Sequence, residues 1–210
     1  SISHRSIMLA SIASGVSRIT NLNDGEDLQS TIKAMQPCGA LIKQDKDLIV
    51  VTGSSLANPN EPIDCGNSGT TSRLLTGLLS SQHLSFSLIG DESLSKRPMN
   101  RVIKPLKEMG CIIKSNDGLL PLHIDASNSF KGIDYKMPIA SAQVKSAILL
   151  AGLGAKNPSV VKELKHSRNH SEIMLESMGA NIVVDDNNIT VNPLSSKLKS
   201  FNMDIPADPS

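Results

Sequence analysis

The sequence predicts an α/β (α+β) fold of three pseudo-threefold αβαββ repeats, with buried helices inside and sheets and amphipathic helices outside. Three observations carry that prediction: three segments that end alike, three short helices apolar nearly all round, and three amphipathic helices each stopped by a glycine. The like segments are AMQPCGALIKQDKDLIVVTG, PLKEMGCIIKSNDGLLPLHI and MLESMGANIVVDDNNITVNP. Their glycines, Gly39, Gly110 and Gly179, lie about 70 residues apart. Units of that length fill the chain as one domain, 1–210, with repeats at approximately 1–64, 65–135 and 136–205.

Each unit opens on a helix. HRSIMLASIASG, TSRLLTGLLSS and KSAILLAGLGA offer almost no polar face, so all three must be enclosed and are expected to sit together inside. A strand follows at 17–22, 85–89 and 159–164. The amphipathic helix comes next, at 26–36, 99–109 and 171–178, and ends at a glycine because a left-handed residue there closes the last turn without a Cβ clash. A β-hairpin over 39–51, 110–124 and 179–191 completes the unit.

Composition excludes several functions. With 210 residues, 39% hydrophobic and 20% charged, the chain has a globular composition and enough length for a real core. One Tyr, three Phe and no Trp leave no stacking platform for single-stranded nucleic acid or sugars. A net charge of +1 gives no field to hold nucleic acid or an anionic membrane, and the longest uncharged stretch, 74–90, is too polar to span a bilayer. Cys38, Cys65 and Cys111 lack CxxC or Cys/His spacing, which argues against disulfides and zinc and fits a reducing cytoplasm. No phosphate-loop or dinucleotide glycine motif occurs, so no nucleotide cofactor is expected, and no paired His/carboxylate set suggests a metal.

The chemistry is expected where the enclosed helices begin. Those starts read Ser1-Ile2-Ser3-His4-Arg5, Gly66-Asn67-Ser68-Gly69-Thr70-Thr71 and Ala140-Ser141-Ala142-Gln143. Each presents unpaired N–H groups, hydroxyls or amides and the positive end of a helix dipole, a combination that binds phosphate or carboxylate. Ordinary capping by Ser, Asn or Thr is the simpler reading of any one of them. Three of the six arginines, Arg5, Arg97 and Arg168, fall at corresponding polar edges of the repeats. A guanidinium fork grips such anions bidentately, so the predicted ligand is a small polyanion. Arg73 and Arg101, on helix faces, are expected to be supports. His4 and His170 are weaker acid/base candidates, and Cys65 lacks the surroundings of an activated thiol.

Five stretches, SISHRS, DCGNSGTTSRLL, GDESLSKRPMNRVIKPLKEMG, ASAQVKSAILLAGL and SRNHSEIMLESMGANI, occur in an order that resembles the 5-enolpyruvylshikimate-3-phosphate synthase family, the enolpyruvyl transferases of the shikimate pathway that feeds aromatic amino-acid and chorismate biosynthesis. The resemblance implies transfer of the enolpyruvyl group of phosphoenolpyruvate to the 5-hydroxyl of shikimate 3-phosphate, with phosphate released and no cofactor. It implies Ser1, Arg5, Ser141, Ala142 through its backbone, Gln143, Ser167 and Arg168 as binders of shikimate 3-phosphate. Asn67, Gly69, Thr70, Arg97 and again Gln143 would serve phosphoenolpyruvate. Gly69 stands where glyphosate-tolerant relatives carry Ala, so glyphosate is expected to fit. The family folds as two similar halves of three repeats. This chain therefore resembles the N-terminal half, a cytoplasmic monomer whose partner is the second half, which would bring the proton-transferring carboxylates. No catalytic residue is expected in this half, and alone it is expected to bind weakly without turnover. A stand-alone ligand-binding module and a relative of the UDP-N-acetylglucosamine enolpyruvyl transferase remain alternatives; an RNA-end-processing protein of similar architecture is disfavoured by charge and aromatic content.

Overall fold

The computed structural model describes residues 2–22 and 25–205. The first repeat runs α1 (Ile2–Ile12), β1 (Val16–Thr20), α2 (Glu26–Met35), a 3-10 turn (Gln36–Cys38), β2 (Leu41–Asp45) and β3 (Leu48–Thr52). The second runs β4 (Ile63–Asp64), α3 (Gly69–Ser81), β5 (Ser85–Ile89), a short α4 (Glu92–Ser95), α5 (Asn100–Met109), β6 (Ile112–Asn116) and β7 (Leu119–Asp125). The third runs β8 (Asp134–Lys136), α6 (Ala142–Gly152), β9 (Ser159–Lys162), α7 (His170–Ser177), β10 (Ile182–Asp185) and β11 (Asn188–Val191), and β12 (Asn202–Asp204) closes the described chain.

The αβαββ pattern is present three times. Gly39, Gly110 and Gly179 take φ of 85°, 112° and 92°, the left-handed stop that the amphipathic helices need. The three hairpins turn at Lys46, Asp117 and Asp186, with φ of 50°, 51° and 48° at matching places. What the sequence reading lacks is a leading strand. Each hairpin joins β1, β5 or β9 in a four-stranded sheet, whose other edge is a short parallel strand: β12-β1-β3-β2, β4-β5-β7-β6 and β8-β9-β11-β10. The leading strands of the second and third sheets immediately precede α3 and α6. The first sheet receives its leading strand from the far end of the chain, with Arg18 opposite Asn202.

The three first helices form the interior. Every residue of α1 from Ser3 to Ile12 is buried, as are Leu74, Leu75, Leu78 and Leu79 of α3 and Ile148 and Leu149 of α6. Each such leucine or isoleucine withdrawn from water stabilises the fold by roughly 2 kcal/mol. Helices α3 and α6 approach at Gly77, where a Cβ would lie 2.1 Å from the Ala147 carbonyl oxygen; any side chain there would force the helices apart. The N-terminal ends of all three helices consequently converge on one side of the molecule.

Candidate functional site

Where α6 begins, the Ser141 hydroxyl caps the helix by accepting the Val144 N–H at 3.4 Å. Ser141, Ala142 and Gln143 stay partly exposed, whereas Val144 onward is buried. Gln143 is held on both sides. Its amide donates to Thr70 Oγ1 of α3 at 3.0 Å, and its carbonyl oxygen accepts from an Arg73 guanidinium nitrogen at 3.0 Å. Arg73 also reaches the carbonyls of Gly69 and Pro98, which makes it the support that its place on a helix face suggests.

A cavity of about 620 Å³ opens at this point, lined by Arg5, Thr70, Ser141, Ala142, Gln143, His166, Ser167 and Arg168. All three repeats contribute to it. Arg5, 4% exposed, donates from Nε to Ser171 Oγ at 2.6 Å and from its terminal nitrogen to Ser146 Oγ at 2.7 Å. Burial pushes the Arg5 pKa down to about 10, opposed by Glu172 and assisted by Arg168, so the guanidinium remains charged at neutral pH. Among the described residues no carboxylate lines the cavity. Its chemistry is that of a cationic, hydroxyl- and amide-rich anion receptor.

The remaining candidates form a second corner at the start of α3. Arg97 donates to the Asn67 side-chain oxygen at 2.6 Å and to its carbonyl at 3.3 Å; the Asn67 amide in turn donates to Asp91 at 2.7 Å. Asp91 caps α4 by accepting the Leu94 N–H at 2.7 Å, and these hydrogen bonds, Leu94 first and Asn67 second, hold its carboxyl below the usual range. Gly69 lies beneath the arginines: a Cβ there would meet an Arg73 nitrogen at 2.6 Å and an Arg97 nitrogen at 3.5 Å. Burial, then the neighbouring Arg97 and Arg101, lower the Arg73 pKa, the mark of a cationic cluster short of counter-ions.

Thus Arg5, Thr70, Ser141, Ala142, Gln143, Ser167 and Arg168 share one cavity, while Asn67, Gly69 and Arg97 adjoin it through Arg73 and Gln143. Ser1 lies outside the described residues. In this structure both Ser167 donors, N–H and hydroxyl, point at Glu163, at 3.2 and 2.5 Å. His4 is a hydrogen-bonding residue, the simpler of its two readings, and not an acid/base group. It is buried, hydrogen-bonded to Thr31 at 2.6 Å, and desolvation carries its pKa down to about 4, leaving it neutral and structural. Burial likewise pushes the Cys65 thiol up to about 12, which removes any thiolate. His166, on the cavity wall, was signalled only by its loop.

The model of the family described as EPSP synthase (3-phosphoshikimate 1-carboxyvinyltransferase) matches residues 1–210. The chain belongs to the EPSP synthase family. It is 47% identical over 211 residues to the 3-phosphoshikimate 1-carboxyvinyltransferase of Ruthia magnifica subsp. Calyptogena magnifica, covering 99% of this chain and 48% of that protein. The enzyme of the same name from Oceanobacillus iheyensis is 45% identical over 213 residues, covering 99% and 49%. A solved EPSP synthase from Acinetobacter baumannii superposes with a TM-score of 0.93 at 40% identity over 99% of this chain and 48% of its own. The chain spans about half the length of the EPSP synthases it matches. No helix of the described residues is long and apolar enough to cross a membrane, and no group of three metal-ligating side chains occurs among them.

Proposed function

We propose that this chain is the shikimate 3-phosphate-binding half of a 3-phosphoshikimate 1-carboxyvinyltransferase. The observation that carries the reading is the 620 Å³ cavity, which gathers Arg5, Ser141, Ala142, Gln143, Ser167 and Arg168 from both ends of the chain into one anion receptor. Arg168 and Ser167 would take the phosphate, with Ser167 turning its hydroxyl from Glu163 to a phosphate oxygen. Arg5, Ser141 and the α6 N-terminus would orient the ring and its carboxylate. Phosphoenolpyruvate would lie against Asn67, Gly69 and Arg97, where a backbone without a Cβ admits it closely. Gln143, facing both corners, would set the 5-hydroxyl against C2 of phosphoenolpyruvate, where the C–O bond forms as the hydroxyl loses its proton and C3 gains one; loss of a C3 proton and of phosphate from C2 then restores the enol double bond.

Proton transfer to and from the reacting carbons requires a positioned acid and base. Among the described residues the cavity wall carries no carboxylate, His4 is buried and neutral, and His166 is its one imidazole. The half-length match to EPSP synthases supports a second half as the partner that carries most of those groups, so that this chain binds without turning over. Calorimetric titration of the 210-residue chain with shikimate 3-phosphate tests the reading. Saturable binding with no phosphate release on adding phosphoenolpyruvate is expected. A folded chain that shows no binding to shikimate 3-phosphate overturns it, as does preference for a UDP-sugar.

A further inference from the structure

Lys145 takes no part in that reading, yet among the described residues it heads the fully buried side chains by size, at 1% exposure in the second turn of α6. Its Nζ lies 2.6 Å from Glu172 Oε1 and 3.0 Å from Glu163 Oε2, both carboxylates being enclosed as well. The other oxygen of Glu163 accepts both donors of Ser167, and Lys145 Nζ itself approaches the Ser167 carbonyl at 3.5 Å. The neighbouring Ser146 contacts Ser171 and Arg5, each at 2.7 Å. One turn of α6 thus grips the end of β9, the 166–168 loop, α7 and α1 behind the cavity wall.

Stability does not account for such a cluster. Desolvating three charges is costly, and buried ionic triads replaced by apolar residues of similar volume are often as stable or more so. Two carboxylates against one ammonium also place a net negative charge behind a site suited to anions. Yet Glu163 takes both Ser167 donors, Lys145 holds one oxygen of each carboxylate, and neither carboxylate lines the cavity.

We propose that Lys145, Glu163 and Glu172 are a positioning triad for the phosphate-binding loop: Glu163 fixes Ser167 through its backbone N–H, and with it Arg168, leaving the hydroxyl to turn to the phosphate, while Lys145 holds both carboxylates out of the anion site. The identity of the phosphate monoester rests on the functional reading above; the positioning does not. Lys145→Met alone would strand two buried carboxylates and is expected not to fold. The decisive protein is therefore the triple variant K145M/E163L/E172M in the 210-residue chain. It is expected to melt no lower than the parent and to lose about tenfold or more in affinity for shikimate 3-phosphate, the loss that freeing one charge-assisted contact brings, while affinity for unphosphorylated shikimate changes less than twofold. Equal losses for the two ligands, no loss for either, or a triple variant that fails to fold would each reduce the triad to a structural element and overturn the proposal. Titration with inorganic phosphate, followed by phosphorus NMR, separates the two readings. If the parent binds phosphate but neither shikimate compound, the substrate assignment falls, and weaker phosphate binding by the triple variant still upholds the triad. Unchanged phosphate binding, or none by the parent, overturns it.

Discussion

The two corners of the site hold their arginines in opposite ways. At the α3 corner, Arg97 rests on the neutral Asn67, at 2.6 Å, and the nearest acid, Asp91, is reached only through that amide. At the α6 corner, Arg5 is enclosed and rests on the hydroxyls of Ser171 and Ser146, while the nearby acids Glu163 and Glu172 are bound to Lys145. In both, the guanidinium meets neutral oxygens while the named acids beside it are held by other groups. The exposed corner does it with one amide in water, where a wrong pairing is weak. The buried corner needs an extra cation, because at low dielectric an arginine and a carboxylate left together would pair strongly. A chain of hydroxyls joins the two: His4 to Thr31 at 2.6 Å, Thr31 to Thr71 at 2.6 Å, and Thr71 to Ser68, the α3 cap, at 2.8 Å.

Acid should break that joint with the largest effect. His4 in the folded state titrates near 4 because it is buried, below its ordinary 6.5. The unfolded chain therefore binds the proton first: stability is full above about pH 6.5 and falls by on the order of 3 kcal/mol as the pH drops to about 4. Urea titrations at pH 7.5, 6 and 4.5 would measure it, and His4→Gln should flatten the profile across this window.

Arg5→Met tests the buried corner next. Losing a charge-assisted, bidentate group should weaken shikimate 3-phosphate binding about a hundredfold in calorimetry. Gly69→Ala tests the exposed corner: the added Cβ must displace the Arg73 terminus, 2.6 Å away, so phosphoenolpyruvate affinity in an EPSP synthase carrying this half should fall about tenfold with shikimate 3-phosphate affinity unchanged. Asn67→Ala should do least. It frees Arg97 and Asp91 at the surface, with a loss of about 1 kcal/mol or less in stability and a several-fold rise in the KM for phosphoenolpyruvate. Equal sensitivity of both corners to these changes would remove the distinction between them.

Much of this was legible in the residues. The glycine stops at 39, 110 and 179 and the repeated hairpins are local, encoded in spacing and turn chemistry, and they stand where the spacing puts them. The candidate anion binders at the α3 and α6 starts were visible because capping sequences announce themselves. The leading strands were not: β4 has two residues and β8 and β12 three each, too short for a period-two pattern. The triad was not legible because KSAILLAGLGA reads as an apolar helix, and its single lysine has no partner nearby in the sequence. A charge at the rim of an enclosed helix was the signal, since a buried ammonium must find carboxylates.

The sequence by itself determined the repeat, the elements within each unit, and which residue types could hold an anion, because these depend on contacts between near neighbours along the chain. Only the tertiary structure decided the site. Arg5 meets Ser171 across 166 residues of chain, and β12 completes the sheet begun by β1, because three apolar helices can hide from water only by packing against one another. That packing is what brings their polar ends together, and it is also what encloses Lys145 and obliges Glu163 and Glu172 to answer it.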